Sequence, residues 1–246
     1  MDYSREEYLI CVLAHMLEGL RNVAVGTASP IPGCAALLIQ AESQGRTRAM
    51  ILGSTVHNGF NDGGAELHDR AGQGRIDAFF LGGGQIDGEA NINLVGIGAY
   101  PHSTVRFPGS FGAAFLYFVI PRVILFREEH SRRVFVPKVD FISAPGWSPE
   151  NVHRPGGPYA LVTSLCVFLF DRARRRFRLD SLHPGHTLEE VRDNTGFEFD
   201  CPNTVGNAPP PEPARLALIR SRIAAEIAEV YPQFARTRLN YEAVRT

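Results

Sequence analysis

The sequence has few cysteines and no excess of charge of either sign. Its four cysteines, Cys11, Cys34, Cys166 and Cys201, have neither the spacing of a metal site nor that of a disulfide framework. This scatter favours a reducing compartment, so we predict a cytoplasmic protein. The 246 residues include 25 Lys and Arg against 26 Asp and Glu. A polyanion-binding protein would carry a basic excess, and we therefore expect no nucleic-acid partner.

Long hydrophobic runs are also missing. The most apolar stretch, 111–126, is interrupted by Pro121 and Arg122 and is too short to span a bilayer. The first seven positions carry acids where a signal peptide needs basic residues, so we expect no membrane partner. His183 and His186 flank a Pro-Gly turn without an evident third ligand, and we expect no metal site.

The first third of the sequence alternates helical and strand-like segments. A capping box at Ser4 and Glu7, followed by apolar residues at helical spacing, predicts a helix over about 5–20. This alternation favours a parallel sheet with crossover helices. The remaining predictions here are strands at 23–25, 49–52 and 76–81, a helix starting near Gly33, and a loop over 53–75 with at most one helical turn.

The second half is richer in strand-like segments, which we predict at 123–126, 134–136, 139–142, 160–164 and 167–170. Five arginines at 172–178 lie between apolar segments and are typical of a solvated hairpin tip. After the prolines at 209–211, apolar residues at helical spacing predict a final helix over about 213–230. We predict the α/β fold class, with an open, largely parallel sheet, crossover helices and a strand-rich second half. Residues 1–246 are predicted to form one domain, with a C-terminal helical tail at 209–246.

Several glycine-rich or asparagine-rich segments follow one another in a fixed order. They are Gly26-Thr27, FFLGGGQID at 79–87, Asn91-Ile92-Asn93, RFPGSFGA at 106–113, SAPGW at 143–147 and NTGFEFD at 194–200. In this order the chain resembles the β subunit of family I coenzyme A transferases of the glutaconate type, from about residue 9 to about 223. The resemblance implies that family's β-subunit fold and an α-type partner subunit, in a heterodimer or an α2β2 assembly. It also implies an acyl-CoA substrate, with coenzyme A present as part of the substrate and no permanently bound cofactor.

The glycine turns have a physical interpretation that fits this resemblance. Without a Cβ, the backbone can approach a ligand closely, and exposed amides can hold a phosphate or a developing oxyanion. The alternative is that these glycines only make tight turns. Arg106 is a candidate partner for a substrate carboxylate or a CoA phosphate, or else for a structural salt bridge. We predict substrate and CoA binding by Gly26, Thr27, Ser54, Thr55, Gly82, Gly83, Gly84, Gln85, Arg106, Gly109 and Gly112.

The glutamate that attacks the thioester in this family is missing from the corresponding stretch, which is ILGSTVHNGF. In the family it follows a strand directly, in a Ser-Glu-Asn-Gly or Val-Glu-Ser-Gly loop. Here its position falls on Thr55 or, with a shift, on Gly53 or Leu52. A threonine hydroxyl cannot form the anhydride that relays CoA between acids. The catalytic residue is therefore unassigned, with His57 a candidate for a general base and Glu66 for a displaced nucleophile.

Family members without this glutamate hydrolyse CoA thioesters or cleave carbon–carbon bonds in them; they include steroid ring-opening hydrolases and a decarboxylase. The resemblance therefore implies a subunit of a hydrolase-like or C–C-cleaving enzyme. One alternative is a true CoA-transferase subunit with a displaced nucleophile. Another is a non-catalytic structural subunit that completes the active site of an α partner. Which subunit supplies the acid–base group stays open.

Overall fold

A computed structural model describes residues 2–242. The first six elements are α1 (Arg5–His15), β1 (Asn22–Val25), α2 (Pro30–Glu42), β2 (Arg48–Ile51), α3 (Gly63–Gly72) and β3 (Ala78–Leu81). The middle of the chain forms β4 (Gln85–Ile86), β5 (Ile92–Asn93), β6 (Gly96–Ile97), β7 (Val105–Arg106), α4 (Ala113–Val119), β8 (Arg122–Phe126), β9 (Pro158–Val162), β10 (Cys166–Asp171), β11 (Arg176–Leu182), α5 (Leu188–Asn194) and β12 (Gly206–Asn207). The last elements are α6 (Pro213–Leu218), a π-helical turn (Ile219–Ile223), α7 (Ala224–Ala228) and α8 (Pro232–Arg238).

The chain divides into two compact units. The first takes in residues up to 70, 75–79 and those from 209 onward, and the second takes in 71–74 and 80–208. The single-domain organisation of 1–246 stays a prediction. Positions 243–246 of the predicted tail lie outside the described residues.

In the first unit, β1 pairs in parallel with both β2 and β3. Val25 is in register with Ile51, so β1 and β2 end at the same edge of the sheet. The Ser4–Glu7 capping box is present at the start of α1, as predicted. The C-terminal helices belong to this unit, and the apolar residues that predicted them are buried. A Cβ at Gly33 would lie 2.9 Å from Ile227 Cδ1, so the glycine lets α2 and α7 pack closely.

The second unit combines parallel and antiparallel pairs. The pairs β8–β9 and β11–β12 are parallel, whereas β9–β10 and β10–β11 are antiparallel. Its core is aromatic: the ring of Phe197 lies 6.1 Å from that of Phe135, 6.2 Å from that of Phe168 and 5.5 Å from that of Phe177. With the parallel strands of the first unit, this gives the mixed α/β fold with a large, mostly parallel sheet that the sequence predicted.

Some helices were missed by the sequence reasoning. The segment 53–75, predicted to be mainly loop, contains the ten-residue helix α3. The helices α4 and α5 were not predicted at all. In α4 the sequence AAFLYFV is apolar all round, so it shows no helical period. Helix α2 begins at Pro30 rather than near Gly33, since proline is well tolerated in the first turn. Helix α1 ends at His15 rather than near residue 20.

Two predicted strands, at 134–136 and 139–142, are absent from the described chain. Val134 and Phe135 are fully buried, yet they lie in a turn and a single bridge to Ile86 rather than in a ladder. Burial alone produced the apolar triplet that suggested a strand. The predicted hairpin tip is correct in place, with the turn between β10 and β11, but the tip is shorter because Arg176 and Arg178 already belong to β11.

No helix within residues 2–242 is long and apolar enough to cross a membrane.

Candidate functional site

The loop after β2 contains the three positions on which the predicted alignment places the family's glutamate. Leu52 directly follows the strand, and its N–H donates to Val25 O over 3.0 Å. Of the three alignments, the one on Leu52 therefore matches a residue placed directly after a strand. Gly53 has φ +93°, which favours glycine, and Thr55 is exposed. None of Leu52, Gly53 or Thr55 is a carboxylate.

A carboxylate reaches this loop from the other end of the chain. Glu229, just after α7, accepts from Thr55 N and Thr55 Oγ1, each over 2.8 Å, through one oxygen. Its other oxygen accepts from Ser54 Oγ over 2.7 Å. Partial burial raises the pKa of Glu229, but the hydrogen bonds from Thr55 and Ser54 outweigh it and hold the pKa below its usual value. Glu229 is therefore an ionised group at neutral pH.

Ser54 fixes the turn from within. Its hydroxyl oxygen accepts hydrogen bonds from Val56 N over 3.1 Å and from His57 N over 2.7 Å, while its O–H donates a hydrogen bond to Glu229. The residue is only 3% exposed. Ser54 thus acts as a buried turn brace, and its hydroxyl has no capacity left for a substrate.

His57 faces a second carboxylate of the C-terminal helices. Its Nε2 lies 3.5 Å from Glu226 Oε2, and the two side chains are 13% and 22% exposed. The other oxygen, Glu226 Oε1, accepts from Arg222 Nε over 2.6 Å. We call Ser54, Thr55, His57, Glu226 and Glu229 the β2-loop cluster.

Sequence reasoning missed both glutamates of the β2-loop cluster. The hydrogen bonds to Glu229 join residues 174 and 175 positions apart. The only available signal was a pair of carboxylates three residues apart on a helix whose opposite side is apolar, and that pattern is common on solvated helices.

Gly26 and Thr27 follow β1 at the same edge of the sheet as Leu52. A Cβ at Gly26 would be 3.5 Å from Phe79 Cζ, which is ordinary van der Waals contact. Packing therefore does not by itself demand glycine at position 26. Thr27 is exposed, and its carbonyl accepts from Ser29 Oγ over 3.1 Å.

Glu66 is occupied by its own helix. One oxygen accepts from the N–H groups of Asn61 and Asp62 just before α3, and the other pairs with Arg70 one turn later. The Asn61 N–H makes the largest contribution to lowering the pKa of Glu66. These bonds describe a helix-start carboxylate. They do not favour Glu66 as the displaced nucleophile.

In the second unit, the triple-glycine turn after β3 is tightly packed. A Cβ at Gly83 would lie 2.7 Å from Ile92 Cγ2 and 2.9 Å from Gln85 O, and one at Gly84 only 2.2 Å from Phe107 Cε2. A Cβ at Gly82 would be 3.3 Å from Phe126 O. Close packing thus explains Gly83 and Gly84 without a ligand, and their role in binding stays a prediction.

Gln85 is 5% exposed, and both its side-chain oxygen and its side-chain nitrogen are hydrogen-bonded. Its carbonyl oxygen accepts from Asn93 Nδ2 over 2.7 Å and from Asp140 N over 3.0 Å, and its amide donates to Asp140 Oδ2 over 3.2 Å. This network joins the β4–β5 ribbon to the 140 region. A direct contact between Gln85 and a substrate would require some of these bonds to be exchanged.

Arg106, Gly109 and Gly112 are more open. Arg106 is exposed on β7, and it makes no side-chain hydrogen bond or ion pair within residues 2–242. Gly109 and Gly112 have φ values of +109° and +72°, and Gly112 precedes α4. Arg106 is the one cation among the predicted binding residues, and its binding role stays a prediction.

Within the part of the chain that the structure describes, no group of three or more His, Cys, Asp or Glu side chains could hold a metal ion. His183 Nδ1 lies 3.2 Å from Ser164 O, whereas His186 pairs with Glu190 over 2.9 Å. The two histidines therefore bind different partners.

The sequence profile of the family described as Coenzyme A transferase matches residues 20–194. The chain belongs to the coenzyme A transferase family. It is 28% identical to the β subunit of glutaconate CoA-transferase from Acidaminococcus fermentans, over 90% of this chain and 93% of that protein. It is 36% identical to the β subunit of 3-oxoadipate CoA-transferase from Pseudomonas knackmussii, over 60% of this chain and 59% of the relative. A cholesterol ring-cleaving hydrolase IpdB subunit of Rhodococcus jostii is 35% identical over 57% and 56%.

Solved structures share the fold. The glutaconate coenzyme A-transferase of A. fermentans superposes with a TM-score of 0.77 at 25% identity, covering 89% of this chain and 94% of the other. The decarboxylase AibA/AibB gives a TM-score of 0.76 at 23% identity, with 97% and 98% covered. The R. jostii IpdAB structure gives 0.77 at 24% identity, with 90% and 94% covered. The last two likenesses are evidence for the fold alone.

Proposed function

We propose that this chain is the β-type subunit of a heteromeric enzyme that hydrolyses an acyl-CoA thioester or cleaves a carbon–carbon bond in one. Its partner is an α-type subunit of the same family, in a heterodimer or an α2β2 assembly. Family membership and the similarity to the glutaconate CoA-transferase β subunit support the substrate class and the partner. Similarity to a ring-cleaving hydrolase subunit supports the reaction class. A cytoplasmic location is part of the proposal, since the cysteines show no disulfide pattern.

The observation that carries the proposal is the strand end of β2. CoA transfer needs a carboxylate that can act first as the acceptor of the acyl group and then as a leaving group. Here Leu52 follows β2, and Gly53, Ser54 and Thr55 complete the turn without a carboxylate of their own. Water as the acyl acceptor needs no such residue. Coenzyme A enters as part of the substrate, with Arg106 proposed to bind one of its phosphates or a substrate carboxylate.

A second candidate function is true CoA transfer with a displaced nucleophile. The specific observation in its favour is Glu229, whose carboxylate is hydrogen-bonded to the Thr55 amide and hydroxyl. Against it, both oxygens of Glu229 already accept hydrogen bonds, and this lowers their nucleophilicity. Hydroxylamine or borohydride trapping would identify a glutamyl-CoA adduct on Glu229 if this alternative holds.

The test is turnover by the chain co-expressed with an α-type subunit, on a panel of acyl-CoA thioesters with and without acetate. We expect product to form at a rate independent of acetate: free CoA if the thioester is hydrolysed, or a new acyl-CoA thioester if a carbon–carbon bond is cleaved. Acetyl-CoA formed only in the presence of acetate would instead establish a transferase. A complex whose kcat is insensitive to every substitution in this chain would indicate the third possibility, a structural subunit.

Several large apolar side chains of the second unit are exposed, among them Val105, Phe111, Phe115 and Ile142. Phe111 is 78% exposed. Because a permanent partner normally covers such side chains, we expect the chain alone to be poorly soluble and inactive. An isolated chain that is monodisperse and active would contradict the obligate heteromer.

A further inference from the structure

We propose that His57 is the acid–base catalyst of the thioester reaction and that Glu226 is the residue that positions it. This inference rests on the proposed function, and it assigns the acid–base group to the β-type chain.

The backbone of His57 is held on both sides. Its N–H donates to Ser54 Oγ over 2.7 Å, and its carbonyl accepts from Ile51 N, the last residue of β2, over 2.9 Å. Glu229 holds the preceding turn through Ser54 and Thr55. The imidazole is therefore carried by a braced loop at the sheet edge where the family places its nucleophile. Such bracing suits a catalytic group, because rates depend steeply on position.

A carboxylate oxygen that lacks a donor lies beside the ring. Glu226 Oε2 is buried and makes no hydrogen bond within residues 2–242, and His57 Nε2 lies 3.5 Å from it. A buried carboxylate oxygen without a donor is costly, which favours the tautomer that carries its proton on Nε2, next to Glu226. In that tautomer Nδ1 carries the lone pair. Nδ1 makes no hydrogen bond to any described residue, and is available to a water molecule.

The surrounding charges suit proton transfer. Glu226 lies beside the imidazole, Glu229 binds Ser54 and Thr55 in the preceding turn, and Arg222 is bound to the far oxygen of Glu226. As in a catalytic triad, a carboxylate next to the ring can stabilise the imidazolium that forms during the reaction step. Glu226 thus acts through the ring, while His57 is the group that reaches the reacting atoms.

Hydrolysis of the thioester requires only the thioester, one water molecule and His57. His57 Nδ1 takes a proton from water as the water oxygen attacks the thioester carbonyl carbon, which gives a tetrahedral oxyanion. Collapse of this intermediate breaks the C–S bond, and the proton on Nδ1 passes to the departing sulfur. The products are the carboxylic acid and the CoA thiol, and His57 is neutral again.

The chain contains a matched control pair. His15 Nδ1 lies 3.2 Å from Glu18 Oε1, with side chains that are 74% and 46% exposed. This pair lies at the end of α1 rather than at the carboxyl ends of the strands. His15→Gln therefore removes a histidine–glutamate contact of the same kind without touching the β2-loop cluster.

The experiment compares His57→Gln, Glu226→Gln and His15→Gln in the co-expressed complex, with kcat and KM measured on a thioester that the wild type hydrolyses. We expect His57→Gln to lower kcat by about 100-fold or more. Glu226→Gln should lower kcat by about 10-fold with KM nearly unchanged, as expected for a positioning residue. His15→Gln should leave both constants unchanged. Added imidazole should restore part of the rate of His57→Ala and none of the rate of Glu226→Gln.

The inference is overturned if His57→Gln keeps more than about a third of kcat, or if the loss lies in KM. It is equally overturned if imidazole leaves the rate of His57→Ala unchanged, because His57 then has only a structural role. If His57→Gln does not assemble with the partner, His57→Asn and His57→Ala carry the same comparison. A wild-type complex that turns over no thioester overturns the proposed function and this inference together, whereas an active wild type with an unaffected His57→Gln overturns the inference alone.

Discussion

At the scale of single residues, the loop after β2 depends on one carboxylate that is remote in sequence. Glu229 joins the Ser54 and Thr55 hydroxyls and the Thr55 amide to the end of α7. The sequence identified Ser54, Thr55 and His57 as residues of interest, because they follow a recognisable strand. It could not identify Glu229, since no local pattern pairs residues 174 positions apart.

We predict that Glu229→Gln lowers the free energy of unfolding by about 1 kcal/mol, after allowance for solvent screening of a largely exposed group. Thr55→Ala should cost less, because the Thr55 N–H still reaches Glu229. The double variant should cost less than the sum of the two, since both changes remove the same hydrogen bond. Urea unfolding of the four proteins measures this coupling. Glu150→Gln, an exposed carboxylate elsewhere, is the control, and strict additivity would refute the contact.

A second prediction at this scale concerns Gly83. Gly83→Ala should destabilise the protein by about 1–3 kcal/mol, because the new methyl group would overlap the buried Ile92 side chain and the Gln85 carbonyl. Gly206→Ala is the matched control, since a Cβ there meets nothing within 4 Å. Thermal unfolding of both variants checks the difference. Equal stability would mean that the turn relaxes easily and that glycine is needed for another reason.

At the scale of elements, the spacing of apolar residues predicted the helices that bury one apolar face. The C-terminal helices were predicted from Leu216, Ile219, Ile223 and Ile227, all of which are buried. The helix α3 was not predicted, because its glycines and polar residues resemble a loop. Its start depends on Glu66, which binds the amides of Asn61 and Asp62. These two hydrogen bonds join Glu66 to residues four and five positions earlier in the chain. A pattern of apolar and polar residues does not reveal such contacts.

We predict that Glu66→Gln weakens the start of α3 and leaves the turnover of the complex unchanged. The folded pKa of Glu66 is lowered, so its contribution is present above its unfolded pKa of about 4.5 and is lost as the pH falls through the folded value. Hydrogen exchange at Asn61 and Asp62 should be faster in the variant at neutral pH. Asp69→Asn, an exposed acid on the same helix, should leave this exchange unaltered. A large fall in kcat would return Glu66 to the catalytic candidates.

At the scale of the whole molecule, net charge is close to zero and most charged groups are solvated, so buried titratable groups dominate the response to mild acid. In the second unit, His130 is held between Thr163 Oγ1 at 2.8 Å and Thr195 Oγ1 at 2.9 Å. Burial lowers the pKa of His130 from its usual 6.5 to about 4, and burial does the same to His183. The sequence contains eight histidines, and composition alone does not distinguish these two buried residues from the exposed ones.

The last prediction is the pH dependence of folding. Both histidines are neutral in the folded protein and protonate more readily when unfolded, so the stability they support is complete above pH 6.5 and falls as the pH drops towards 4. Each contributes a loss of about 3 kcal/mol over that range. The pKa of carboxylates such as Glu129 is lowered, for Glu129 first by Ser131 and also by Arg133, so the stability that they contribute is lost mainly below about pH 4.5.

Urea unfolding at several pH values therefore measures the histidine contribution between about pH 6.5 and 4.5. In this range the free energy of unfolding should depend less steeply on pH in His130→Gln than in the wild type, even though that variant is less stable at neutral pH. His15→Gln should keep the wild-type slope, because His15 is 74% exposed. An unchanged slope in His130→Gln would mean that His130 finds water or a counter-charge as it protonates.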